Sequence, residues 1–90
     1  MSLNPQEANQ FKKDMRRVMS QGKAYEKIRA VLVALVNQQP LDQKYRDHSL
    51  GSNWKGCREL HIEPDWLLIY KIEDKTLYLL RTGSHSELFG

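Results

Sequence analysis

Three histidines, an aspartate and an arginine stand out in this chain of 90 residues: His48, His61, Asp65, Arg81 and His85. A histidine side chain titrates at about 6.5, so it can give or take a proton near neutral pH. Two imidazoles facing one reacting centre would supply the acid and the base of a hydrolytic or transfer reaction. The same donors could hold a metal, but no HxH or HxxxH pair occurs, so no metal site is expected. Any one of these histidines alone would read as a surface or core residue. The case depends on several being brought to one place.

The stretch from His48 to Phe89 must do that positioning. It holds all three histidines, both tryptophans and the single cysteine. Cys57 to Ile62 alternates, with Cys57, Glu59 and His61 on one face and Arg58, Leu60 and Ile62 on the other. Pro64, which lacks a ladder donor, ends that run. Trp66 to Ile72 is almost continuously apolar, as expected of a strand covered on both faces. After the polar break at Glu73, Asp74 and Lys75, Thr76 to Thr82 forms a third run. Connections this short admit only an antiparallel meander. A tight turn centred between Asp74 and Lys75 sets Glu73 against Thr76 and Asp65 opposite Ser84, with His85 next. His61, Asp65, Arg81 and His85 then gather at one end of the sheet. A different turn would slip the register by a residue or two without scattering them.

Helices support this unit. Asn4-Pro5-Gln6-Glu7 reads as a helix start, with Asn4 as cap, Pro5 in the first position and Glu7 as a capping-box acid. Phe11, Met15, Val18 and Met19 give an apolar stripe, and Gly22 is a natural stop. A second helix runs from Ala24 to about Asn37, with Ile28, Val31, Leu32, Leu35 and Val36 inward. Pro40 closes it. Met1-Ser2-Leu3 resembles a leader left by an expression vector and is given no structural weight. The expected architecture is one α+β domain over residues 1–90. A helical hairpin (4–39) packs on one face of a small antiparallel sheet, a loop (40–56) carries His48, and a meander with a docked C-terminal tail fills 57–90.

Composition narrows the function. One cysteine excludes an internal disulfide framework and fits a reducing, cytoplasmic setting. There is no secretory signal and no apolar run of membrane length. Net charge is +3, but residues 1–40 hold seven Lys or Arg against three acids, while the rest is slightly acidic. That basic half suits a polyanion or an acidic protein, or merely solvates the helices. Trp66 opens a buried strand and reads as core, whereas Trp54, in a loop beside Lys55, could stack on a base. Cys57 has no activating base and reads as structural. Without a Walker loop or a GxSxG elbow, NTPases and serine hydrolases are not expected.

The segments YRDHSLGSNWKG, CRELHIEPDWLLIYK and LLRTGSHSELFG resemble the YafQ branch of the RelE toxin superfamily, with HIEPDW and RTGSH the most specific parts. Those proteins are the mRNA-cleaving toxins of bacterial toxin–antitoxin pairs. The resemblance implies catalytic roles for His48, His61, Asp65 and His85. Arg81, Trp66, Phe89 and Lys55 support them as phosphate or RNA contacts. On this reading His85 is the general acid and His48 the base. His61 and Arg81 hold the phosphate, and Asp65 orients a neighbouring histidine or is itself the base. The resemblance further implies a metal-free, cofactor-free endoribonuclease acting on mRNA at the ribosome, silenced by an acidic, DinJ-like antitoxin. Lys12, Lys13, Arg16 and Arg17 would form its basic surface for RNA. It also implies a strand before the first helix, against the helix-cap reading of that segment. The rival class is a non-catalytic RelE/ParE-fold module that poisons another target by contact.

Overall fold

A computed structural model describes residues 2–90. Strand β1 (Asn4–Glu7) leads into helices α1 (Asn9–Ser20) and α2 (Tyr25–Val36). Strands β2 (His48–Ser49), β3 (Arg58–Glu63), β4 (Trp66–Glu73) and β5 (Thr76–Gly83) follow, then helix α3 (His85–Phe89). All five strands form one sheet in the order β1-β5-β4-β3-β2. Neighbours from β2 to β5 are antiparallel, so the α+β class and the meander stand as expected. Two short edge strands extend it. One of them, β2, lies inside the stretch read from the sequence as a loop.

The other overturns the helix-cap reading. Asn4 to Glu7 pairs in parallel with Thr76 to Leu79, and α1 begins only at Asn9, with Ala8 at its cap and no side-chain cap bond. The bonds from Asn4 N to Lys75 O (2.8 Å) and from Ala8 N to Leu79 O (2.9 Å) identify the even-numbered amides as those facing β5. Pro5 therefore points its missing N–H outward, where an edge strand needs no donor. Leu3, given no weight above, is buried, and its amide bonds Val36 O at 2.7 Å. Tertiary pairing has overridden a good local helix signal. Met1 lies outside the described residues.

Helices α1 and α2 cover one face of the sheet. Phe11, Val18, Ile28, Val31 and Leu35 pack there against Leu60, Ile62, Trp66, Leu68, Tyr70, Leu77 and Leu79. Each large apolar side chain buried in this way contributes about 1.5–3 kcal/mol relative to exposure. A smaller cluster holds the opposite face, where Leu67, Ile69 and Leu88 meet Leu50, Trp54, Cys57 and Leu80. Leu88 is the anchor of α3, so the C-terminal segment is docked as expected.

The turn at Asp74 and Lys75 has φ of 52° and 69°, the pattern of a type I′ hairpin, and it sets Glu73 opposite Thr76. Farther along, Tyr70 pairs with Leu79 but Ile69 pairs with Arg81, leaving Leu80 as an extra residue. That bulge slips the register by one. Leu67 now meets Gly83, and Asp65 reaches His85 rather than Ser84.

Where β1 stops, side chains of α1 take over the open edge of β5. Asp14 accepts the Thr82 N–H at 3.1 Å, and Arg17 Nη2 donates to the Thr82 carbonyl at 2.8 Å. Gly83 follows with φ of 154°, and a Cβ there would lie 2.4 Å from Arg17 Nη2. The backbone there favours glycine, and a side chain would have to displace the end of that arginine.

Candidate active site

On β3, Leu60 and Ile62 face the helices, so Glu59 and His61 face the other way. His48 on β2 pairs directly with Glu59. At the far side, the turn between β3 and β4 presents Asp65, and α3 begins with His85. Three imidazoles thus stand in a row: His48 to His61 is 6.2 Å between centroids, and His61 to His85 is 5.7 Å. Phe89 continues the row 6.4 Å from His85, and Trp54 meets Phe89 edge-on at 6.2 Å.

Hydrogen bonds fix which nitrogen of each ring does chemistry. His48 Nδ1 lies 2.7 Å from the Arg46 carbonyl, and His61 Nδ1 lies 3.2 Å from the Pro64 carbonyl. A carbonyl only accepts, so both rings carry a proton on Nδ1. Their Nε2 atoms then converge on one oxygen, Glu59 Oε1, at 3.7 Å from His48 and 3.5 Å from His61. Glu59 keeps only 7% of its side chain exposed and His61 11%, whereas His48 is about half open to solvent. A buried carboxylate needs polar partners, and these two rings face it.

His85 is held differently. Its backbone N–H and its Nδ1 both lie 2.9 Å from Asp65 Oδ1. These two bonds, the backbone one first, hold the Asp65 carboxyl below the usual aspartate range. The carboxylate accepts from His85 Nδ1, which leaves Nε2 as the ring atom open to chemistry. Ser84 and Glu87 close a capping box around the start of α3, which fixes the backbone under His85. Glu87 also pairs with Arg17, Nε to Oε2 at 3.1 Å.

His48, His61, Asp65 and His85 are therefore brought together. Arg81 is not in that group. Its Nε and Nη2 lie 2.7 and 3.3 Å from the buried Asp14 carboxylate, at the edge of β5 facing α1. Its backbone stands level with Ile69 and Glu59, but its side chain is drawn to Asp14, so the expected gathering with the histidines is not made. Trp66 is also corrected as an RNA contact. It has no exposed surface, and its indole N–H is satisfied by Thr82 Oγ1 at 3.0 Å. Arg17 is a clamp between Asp14, Thr82 and Glu87, and so leaves the proposed basic surface. Lys12, Lys13 and Arg16 are exposed, but on the helical layer that backs the sheet. Lys55 and Phe89 are exposed on the histidine side, next to Trp54.

Glu59 is the residue that sequence reasoning missed. Its alternation with His61 was visible, but its partner His48 is revealed only by the pairing of β2 with β3. The same pairing corrects the argument against a metal. Among the described residues, donor atoms of His48, Glu59 and His61 all lie within 4.8 Å of one another, a spacing that no HxH pattern announces. Two imidazoles and a carboxylate are ligand types that copper and zinc accept.

The family model described as "Bacterial toxin of type II toxin-antitoxin system, YafQ" matches residues 3–90. This chain belongs to the YafQ toxin family. It is 45% identical to the mRNA interferase toxin YafQ of Escherichia coli strain B / BL21-DE3 over 84 residues, covering 92% of this chain and 91% of that protein. The toxin in the crystal structure of the E. coli DinJ-YafQ toxin–antitoxin complex superimposes with a TM-score of 0.91 at 40% identity, over all of both chains. A metal-bound toxin from Helicobacter pylori gives a TM-score of 0.91 at 40% identity, over 97% of this chain and 99% of that one. The expected YafQ membership and fold are thus established for this member. No helix among the described residues is long and apolar enough to cross a membrane.

Proposed function

We propose that this YafQ-family toxin is an endoribonuclease that cleaves mRNA by proton transfer between histidines, without a catalytic metal. The row of three imidazoles, each with Nδ1 tied and Nε2 turned to the site, is the observation that supports it most. His48 Nε2 takes the proton of the ribose 2′-hydroxyl, and the 2′-oxygen bonds to the adjacent phosphorus. The bond from phosphorus to the 5′-oxygen breaks, and that oxygen receives the proton of His85 Nε2. The products are a 2′,3′-cyclic phosphate and a free 5′-hydroxyl.

Glu59 stabilises the imidazolium that forms on His48, and His61, shared between Glu59 and the phosphate, carries positive charge toward the transition state. Asp65 holds His85 in its donating form. Phe89 and Trp54 offer rings for a base, and Lys55 a cation for the RNA backbone. Trp66 serves from the core.

The E. coli relative is named an mRNA interferase, and a second structure is a complex with its antitoxin DinJ. By the same reasoning this chain acts on mRNA at the ribosome and is silenced by an acidic, DinJ-like antitoxin. Primer extension on translated mRNA, comparing the native chain with His85→Ala, tests the reading. The native chain should produce new 5′-ends and the variant almost none. Equal cleavage by both would overturn it, and would favour a protein that poisons by contact.

A further inference from the structure

Strand β2 has only two residues, yet it must hold His48 against Glu59. We infer that Tyr70, Asp47 and Arg58 form a strut on the opposite side of β2 whose task is to position His48. Successive side chains on a strand point to opposite faces, so Asp47 turns away from the site when His48 turns toward it. The hydroxyl of Tyr70, a residue with 1% of its surface exposed, donates to Asp47 Oδ1 at 2.6 Å. Arg58 Nε and Nη2 reach the two oxygens of Asp47 at 3.3 and 3.4 Å.

The same pattern repeats on β3, where Arg58 is the neighbour of Glu59. Pairs of adjacent residues, Asp47-His48 and Arg58-Glu59, are thus tied twice: behind the sheet through Asp47 and Arg58, in front through His48 and Glu59. Tyr70 pairs with Arg58 across β3 and β4 and roots the strut in the main core. Beyond it the chain is irregular, with Arg46 at φ of 52° and a short 3₁₀ turn before that. The backbone ladder of β2 is short, two residue pairs and the bond from Leu50 N to Cys57 O (2.9 Å), so the strut adds a side-chain tie where the ladder is weakest. Tyr70 and Asp47 are positioning residues, acting on the reaction through His48.

This inference rests on the ribonuclease reading for its kinetics, but its geometry can be tested alone. Tyr70→Phe keeps the ring in the core and removes only the donor. Asp47→Ala removes the acceptor, and Asp47→Asn restores an oxygen for Tyr70 at the same place. Cleavage rates and imidazole NMR signals should be read on each full-length variant below its thermal unfolding range. Tyr70→Phe and Asp47→Ala should lower kcat by about 10- to 100-fold with KM little changed, the size expected of a misplaced catalytic group. Asp47→Asn should recover most of that loss. In the same variants the ring signals of His48 should shift or broaden while those of His85 stay in place. Unchanged His48 signals in both Tyr70→Phe and Asp47→Ala would overturn the strut. A native chain that cleaves nothing, with His48 signals that still move, would sink the ribonuclease reading and leave the strut standing.

Discussion

Among the described residues two carboxylates are buried, Asp14 and Glu59, and they are satisfied in opposite ways. Asp14 has no exposed surface and receives bonds from Gln10, Arg17, Arg81 and the Thr82 amide. Burial pushes its carboxyl up, but the Arg81 bond and the others outweigh that and hold it below the usual aspartate range. Glu59 is nearly as buried, yet its charged partners are two imidazoles at 3.5 and 3.7 Å. Arginine never loses its proton in a protein, whereas histidine does so near neutrality. One carboxylate is a permanent joint between α1, β5 and the base of α3. The other sits in a cluster whose charge can change during a reaction.

That contrast can be broken most forcefully at Asp14. Asp14→Ala should cost about 3–5 kcal/mol of stability, because it leaves two arginines over a buried edge without their carboxylate. Chemical denaturation reads this directly, and a loss under 1 kcal/mol would mean the joint is ornamental. Glu59→Gln should do the reverse. Cleavage should fall by about 10²–10⁴-fold while the denaturation midpoint barely moves. If activity survived, Glu59 would be a structural residue and His48 an unaided base.

Acid should separate the two regions next. The carboxyls of Asp14, Glu63, Asp65 and Glu87 are all lowered in the folded chain. Groups lowered on folding add stability that is fully present above their unfolded values, 3.8 for Asp and 4.5 for Glu. That stability is lost as pH falls through the lower folded values. Thermal unfolding should therefore be flat from neutrality to about pH 5 and decline below about pH 4. Cleavage, which needs one protonated and one free imidazole, should instead follow a bell and fail before the fold does. Metals give the finest distinction. A chelator should leave cleavage unchanged, whereas added zinc or copper should inhibit by occupying His48, Glu59 and His61, with Glu59→Gln less sensitive. Activation by zinc would reassign the cluster.

The sequence carried the architecture well where one local rule was enough. Period-2 alternation placed Glu59 and His61 on one face, and the Asp74-Lys75 turn brought Asp65 and His85 to the same end. It failed where distant backbone decided. Asn4 to Glu7 has every mark of a helix start, and only the free edge of β5 makes it a strand. Two residues of β2 are too few to leave a pattern, so His48 read as a loop residue and its pairing with Glu59 was hidden. Arg81 was placed by the hairpin register, and nothing near it in the sequence announces that its side chain is drawn to Asp14. Asp14 lies beside the apolar stripe of α1, between Phe11 and Met15. Nothing in its neighbours names Arg81 and Thr82, which follow 67 and 68 residues later.

All three Nδ1 atoms being tied to oxygen also dictates how the protein meets an electrophile. A neutral imidazole with its proton on Nδ1 keeps its lone pair on Nε2, so alkylation should be regioselective for Nε2 at His48, the more open of the two rings beside Glu59. His61, with Nε2 against Glu59 and little surface, should react slowly. The histidines differ in how readily they can be marked, and peptide mapping after a brief exposure to reagent would read their order. A bound antitoxin covering the row would erase that order altogether.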